Sequence, residues 1–239
     1  MRLDLYLLYA NFTQSRTRAN NLIKLNKITV NGKVINKPSY NVKQTDEVKV
    51  LSDYPVSLGG IKLNHALEHF GVSVLDKICL DVGASNGGFT DVLINNGARL
   101  VYALDVGECA LPDYLKNNNK VVVKDKTNAR FIEKSDFEHA LDFACIDVSF
   151  ISLELVLPAV YNAVKEKGEI IALIKPQFEL SKKDLTKSGI VKDKKLQDKA
   201  VKKITSLAIS LGSHNMRVIE APHPFEHKNQ EYFIYIIKQ

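Results

Sequence analysis

The sequence predicts a doubly wound α/β sheet preceded by a small α+β unit. Three observations predict it. From residue 78 onward, short apolar runs alternate with stretches of helical period, the pattern of βα units in a mostly parallel sheet. The last two strand candidates are separated only by residues 221–230, which include Pro222 and Pro224. That gap is too short for a helical crossover, so they are expected to pair antiparallel. Before residue 58 the pattern differs, with two helical stretches and a hairpin signal in place of βα units.

The elements follow in order. Leu3, Tyr6, Leu7 and Ala10 share a helical face over residues 2–10. Ser15 is a suitable cap for a second helix, Arg16–Leu25, with Ala19, Leu22 and Ile23 on one face. Asn31-Gly32 between β-branched runs, Ile28–Val30 and Val34–Ile35, is the strongest short hairpin signal. Asp46–Leu51 reads as a closing strand, and Ser52–Ser57 as a linker. A helix is expected over Ile61–Phe70, stopped by Gly71. Strands are then expected at Ile78–Val82, Leu100–Leu104, Lys120–Lys124, Asp142–Val148, Glu169–Ile174, Asn215–Glu220 and Glu231–Ile237. Helices between them include Thr90–Asn95, Leu153–Lys165 and Leu196–Leu211. Seven strands ending in an antiparallel pair resemble the class I methyltransferase sheet. A dinucleotide-binding dehydrogenase more often ends in a parallel sixth strand.

Composition excludes several classes. No apolar run approaches the roughly 20 residues of a membrane helix. Asp4 interrupts the first apolar stretch, which argues against a secretory signal. Cys79, Cys109 and Cys145 are odd in number and unclustered, so neither a disulfide framework nor a zinc site is expected. A cytoplasmic, metal-free protein, favoured as a monomer, is the expectation. The net charge is +6, and residues 1–58 alone carry nine Lys/Arg against four Asp/Glu. A basic segment of this kind suits a polyanion, although a merely solvated lysine-rich face has the same composition.

The turn after the first large-sheet strand is Asp81-Val82-Gly83-Ala84-Ser85-Asn86-Gly87-Gly88-Phe89. Glycines there let the backbone approach a ligand closely, and many nucleotide folds use such a turn. Two acids narrow the choice. Asp81 would repel a pyrophosphate but suits the ammonium of a methionine moiety. Asp105, ending the next strand before Val106, can accept from both ribose hydroxyls. The ligand these residues imply is S-adenosylmethionine, with Asp81, Gly83, Ala84, Ser85, Gly87, Phe89, Asp105 and Val106 around it. Asp125, after the third strand, is a candidate for the adenine amino group, with a solvated turn as the plain alternative.

Four further residues stand where they can converge. Lys62 opens the helix after Gly59-Gly60. Asp147 and Lys175 end the fourth and fifth large-sheet strands, and Glu231 opens the last. Active sites of open α/β sheets lie at the carboxyl ends of parallel strands, where an antiparallel strand begins. A lysine set among charges or buried can orient a hydroxyl and take its proton. Solvated or strand-edge charges are the plain alternative for each.

Taken together these motifs resemble the TlyA family, ribosomal-RNA cytidine 2'-O-methyltransferases once named as haemolysins. The resemblance spans nearly the whole chain: Arg2-Leu3-Asp4, Ser15-Arg16, Val30-Asn31-Gly32, Gly59-Gly60-Ile61-Lys62-Leu63, the glycine turn, Asp147–Leu153, Lys175–Glu179 and Glu231-Tyr232-Phe233. It implies an RNA-binding domain of the ribosomal S-four type over residues 1–56 and an FtsJ-like methyltransferase domain over residues 57–239. The FtsJ-type Lys-Asp-Lys-Glu set falls on Lys62, Asp147, Lys175 and Glu231. Lys175, assisted by Asp147, would deprotonate the ribose hydroxyl, while Lys62 and Glu231 orient the nucleotide. Arg2, Arg16, Arg18, Lys24 and Lys33 would contact RNA, with Lys182, Lys183 and Lys187 as further candidates. The partner implied is ribosomal RNA or a ribosomal subunit, with a large-subunit cytidine favoured by likeness to the shorter family branch. The chain departs from the family at Ser57-Leu58, where Ser-Arg is usual, and at Phe225-Glu226-His227-Lys228 before Glu231. An RNA-binding assembly factor or a haemolysin-like membrane-active protein are the rival readings.

Overall fold

The computed structural model describes residues 1–10, 12–13, 16–24, 26–51, 58–186, 189–222 and 229–239, apart from the side chains of Thr17, Arg18, Leu58 and Lys182. The expected Ser15 cap, the linker Ser52–Ser57 with the 56/57 boundary, Lys187 and the turn Phe225–Lys228 lie outside the described residues. Two compact units are present, Met1–Ile61 and Lys62–Gln239.

In the first unit, α1 (Leu3–Tyr9) and α2 (Arg16–Lys24) cover a sheet of β1 (Ile28–Val30), β2 (Lys33–Val34) and β3 (Val48–Val50) in the order β2-β1-β3, all antiparallel. Asn31 and Gly32 both take positive φ, 50° and 75°, as a two-residue hairpin turn requires. Asn31 also ties the turn to β3, donating to Asp46 and accepting the Glu47 N–H. The closing strand is three residues long, shorter than the expected Asp46–Leu51. Leu3, Leu7, Ala19, Ile23 and Ile28 are fully buried between the layers.

Helix α3 (Leu58–Phe70), whose residues from Lys62 onward belong to the second unit, begins earlier than expected and absorbs Gly59-Gly60. Lys62 therefore stands one turn inside the helix instead of opening it. The seven strands are β4 (Ile78–Val82), β5 (Leu100–Leu104), β6 (Val121–Lys124), β7 (Leu141–Ile146), β8 (Val164–Ile174), β9 (Met216–Glu220) and β10 (Tyr232–Ile237). Their order is β6-β5-β4-β7-β8-β10-β9, with β10 antiparallel to both neighbours and the other ladders parallel. The helices that matter to the site are α4 (Gly88–Asn95), α6 (Leu153–Ala163) and α8 (Lys194–Ser210); the short helices α5 (Asp113–Lys116) and α7 (Pro176–Glu179) have no counterpart in the sequence expectation.

One boundary differs substantially. The expected helix Leu153–Lys165 stops at Ala163, and β8 begins at Val164 instead of Glu169. Val164 pairs with Leu141, and the register shifts before Phe143. Lys167 takes positive φ, and a Cβ at Gly168 would overlap Val164. The segment Lys165–Gly168 is an irregular strand entry whose charges mimic a solvated helix end. β7 ends at Ile146, so Asp147 lies just past the strand, its N–H still bonded to the Val82 carbonyl at 2.9 Å.

Side chains alternate across the sheet, as strand geometry demands. Leu80, Val82, Ala144 and Ile146 face α6 and α8, while Cys79, Phe143, Cys145 and Phe233 face α3 and α4. The core is thus two apolar layers on either side of one sheet, and the carboxyl ends of β4, β5, β7 and β8 meet at one edge.

Candidate active site

At that edge the turn after β4 is shaped by close approach. Gly83 sits at φ 85°, and a Cβ there would overlap the Asp147 carbonyl oxygen. Gly87 sits at φ 80° against Leu111 and Leu115, with the same consequence. The N–H groups of Gly83 and Ala84 both donate to the Leu104 carbonyl, at 2.8 and 3.0 Å. Ser85 N–H donates to Asp105 Oδ2 and Gly107 N–H to Asp105 Oδ1, each at 2.9 Å. Asp105 thus holds two loops, and each oxygen keeps a second lone pair for a ligand.

Beyond this turn opens a cleft of about 570 Å³, a size proper to small-molecule sites. Its walls are Val82, Gly83 and Ser85, then Leu104–Val106, Thr127–Arg130, Asp147–Ile151, and Leu155-Val156 of α6. Five expected ligand residues do not line it. Ala84 and Phe89 are core residues, and Gly87 packs against α5. Asp125 accepts the Cys109 N–H at 2.5 Å, a bond that lowers its pKa.

Asp81 is also absent from the walls. It lies on the α3/α4 side of β4, fully buried, accepting from Thr90 Oγ1 at 2.6 Å and from the Cys145 thiol at 3.8 Å. Burial, with the Asp147 charge adding to it, pushes its pKa up to about 7 despite the Thr90 bond. Sequence reasoning missed Thr127, Asn128, Arg130 and Val148–Ile151 as wall residues. Their signal was position alone: each follows the carboxyl end of a parallel strand. Lys126 N–H bonds the Gly107 carbonyl at 2.7 Å and Thr127 N–H the Asp105 carbonyl at 2.9 Å, which joins the β5 and β6 loops into one wall.

The four convergent residues form two ion pairs. Lys62 Nζ lies 2.5 Å from Glu231 Oε2. Lys175 Nζ lies 2.6 Å from Asp147 Oδ1 and donates an aligned bond to Ser149 Oγ at 2.9 Å. The side chains of both pairs are between 10% and 22% exposed, so they are shielded yet open to a ligand at one edge. The register Tyr232–Ile174 puts Glu231 and Lys175 at the next opposed position of the β10–β8 ladder. Among the described residues, no aligned donor reaches the buried Asp147 Oδ1. Beside the pair, Phe150 takes φ 64°, is 91% exposed, and leans on Phe178 with ring centroids 5.2 Å apart.

The first unit carries its own charged cluster. Asp4 is fully buried and receives Arg2 Nε at 2.9 Å and Arg16 Nε at 2.8 Å. Arg2, ahead of Arg16, holds the Asp4 carboxyl down at about 2. Both arginine side chains stay about half exposed, 48% and 54%. Lys24 and Lys33 are exposed, and the Arg18 and Lys182 side chains lie outside the described residues.

An adenosine-bearing sulfonium fits this arrangement: an acid at the end of β5, a turn pressed close by glycine, and an apolar and polar wall. The comparisons with known proteins agree. Residues 55–238 match the FtsJ-like methyltransferase family and residues 1–48 the S4 domain. The chain is 38% identical over 241 residues to the 16S/23S rRNA (cytidine-2'-O)-methyltransferase TlyA of Mycobacterium tuberculosis, covering 100% of this chain and 90% of that one. It is 33% identical over 259 residues to the 23S rRNA (cytidine-2'-O)-methyltransferase TlyA of Campylobacter jejuni, covering 100% of both. A hemolysin-named structure from Streptococcus thermophilus superposes with a TM-score of 0.76 at 35% identity, covering 100% of this chain and 88% of that one.

Proposed function

The chain belongs to the TlyA family, S4 domain plus FtsJ-like S-adenosylmethionine-dependent methyltransferase, and from that premise we propose that it methylates the ribose 2'-hydroxyl of a cytidine in ribosomal RNA, in the large subunit. The observation that carries the reading is the pairing of Lys175 with Asp147 and of Lys62 with Glu231 at the sheet edge beside the cleft. The names of the two relatives quoted above include 23S rRNA, one of them with 16S beside it, which supports the large-subunit assignment. Such a substrate places the work in the cytoplasm. Among the described residues, no helix is long and apolar enough to cross a membrane.

S-adenosylmethionine, when bound, supplies a methyl group on a positively charged sulfur. Asp105 would accept from its ribose hydroxyls, and Val106 with Thr127–Arg130 would bound its base. Asp81 acts from beneath, holding α4 to β4 through Thr90. Asp147 holds Lys175 in place, and Ser149 fixes the direction of its Nζ. With its amine unprotonated, Lys175 Nζ accepts the hydroxyl proton as the 2'-oxygen becomes a nucleophile. Lys62 and Glu231 orient the target nucleotide from the other side, and the exposed Phe150 ring offers a face on which a splayed base can stack. In the first unit, Arg2 and Arg16, whose side chains are about half exposed, would meet phosphates.

The test is direct. Lys175→Met and Asp147→Asn should each lower single-turnover methylation of ribosomal RNA at least 10³-fold, about 4 kcal/mol of transition-state stabilisation, with cofactor affinity within about threefold of wild type. Retention of the wild-type rate in either variant refutes the assignment.

A further inference from the structure

Glu179 is a buried carboxylate to which none of these roles applies. It ends α7, four residues after Lys175, and its side chain is 1% exposed. A carboxylate buried this deeply persists only if hydrogen bonds and charge compensate it. The compensation comes from the start of α6. Glu179 Oε1 accepts the Leu153 N–H at 2.8 Å, and Oε2 accepts from Ser152 Oγ. The helix dipole at that end favours the negative charge. Lys203 of α8 completes the cluster, 3.5 Å from Glu179 Oε2, donating to the Glu179 carbonyl at 3.1 Å and to Ser152 Oγ at 3.2 Å.

The bonds join two segments that carry the site. Residues 147–153 and 175–179 meet at three points: Lys175 on Asp147 and Ser149, Phe178 on Phe150, and Glu179 on Ser152 and Leu153. At its other end the first segment is tied by Asp147 N–H to the Val82 carbonyl. Between the ties, Phe150 holds a left-handed backbone that a non-glycine residue keeps only where its surroundings over-determine it.

We propose that Glu179, with Lys203, is a positioning residue for methyl transfer: it clasps the 147–153 segment onto the 175–179 segment and so aims Ser149 at the Lys175 amine and presents the Phe150 ring. The proposal rests on the methyl-transfer reading for its kinetic consequence, and on geometry alone for its structural one. Glu179→Ala should lower the single-turnover rate at least 30-fold with cofactor affinity within twofold. Glu179→Gln should lose about tenfold and Lys203→Met about fivefold. Because part of the effect passes through Ser149, Ser149→Ala should itself slow transfer, and Glu179→Ala in that background should slow it less than tenfold further. Amide exchange at Leu153 and across 148–152, read on the full chain by nuclear magnetic resonance, should quicken at least tenfold in Glu179→Gln. Unchanged exchange overturns the clasp whether or not the protein methylates RNA. A wild-type protein inactive on ribosomal RNA overturns the functional reading, and exchange then still decides the clasp. Wild-type rates in Glu179→Gln and Lys203→Met, or full additivity with Ser149→Ala, overturn the positioning role. If Glu179→Ala does not fold, those two milder variants decide the matter.

Discussion

Gly83→Ala isolates the contact on which the cleft is built. Gly83 sits at φ 85°, where an L-residue costs about 1–2 kcal/mol. Its new Cβ would overlap the Asp147 carbonyl oxygen, backbone that is itself pinned by the Asp147 N–H bond to Val82. Forcing one methyl into such a contact costs a further ~1–3 kcal/mol. The sum is about 3 kcal/mol, or roughly 6–12 °C in the melting of a unit this size. Gly71→Ala is the control. Gly71 has φ 68°, and a methyl added there would meet nothing within 4 Å, so it bears only the conformational part, about 1 kcal/mol. Both variants would be unfolded in urea by circular dichroism, and cofactor binding measured by calorimetry. Gly83→Ala should be the less stable by about 2 kcal/mol and bind cofactor at least tenfold more weakly. Gly71→Ala should bind within twofold of wild type. Equal destabilisation and equal affinity in the two variants would refute the close approach of the β4 turn to the β7 end.

Three further outcomes are expected. Asp81 has its pKa raised to about 7 by burial, so its contribution to stability is greatest below pH 4, declines between about 4 and 7, and is flat above; wild type should lose stability relative to Asp81→Asn on going from pH 5 to pH 8, and a pH-independent difference in melting temperature would contradict this. Asp4 is the opposite case, held at about 2 by Arg2 and Arg16: its contribution is present above pH 4 and lost as pH falls through 2, so Asp4→Asn should cost on the order of 1 kcal/mol at pH 7, after discounting for half-exposed arginines, and much less at pH 2.5 in urea titrations. Arg16→Ala should weaken RNA binding alike across sequences and lower the slope of log affinity against log salt by about one ion; a change confined to one RNA sequence in filter binding would argue for base reading instead.

Much of the site was legible in sequence order. The Asn31-Gly32 hairpin, the glycine turn after β4 and the acid ending β5 all stand where local sterics and strand alternation place them. Asp147, Lys175 and Glu231 were found because strand ends in an open sheet converge. Other features were not legible. Asp81 is buried against Thr90 because it falls on the α4 side of an alternating strand whose two faces are both covered. Asp125 is claimed by the Cys109 N–H, a partner that depends on how the β5 loop returns. The charged stretch Lys165–Gly168 reads as a helix end and is strand, because pairing with β7 outweighs local preference.

The sequence by itself determined most of the small units of this protein: the hairpin and glycine turns, the cores of the longer strands and helices, and which acids, bases and glycines stand near the ends of elements. Those are decided within a few residues by φ, side-chain period and capping. Only the tertiary structure decided the pairings, Lys62 with Glu231 across 169 residues and Glu179 with the start of α6 across 26. Such pairings follow from strand order and register in the assembled sheet, and no local signal carries either.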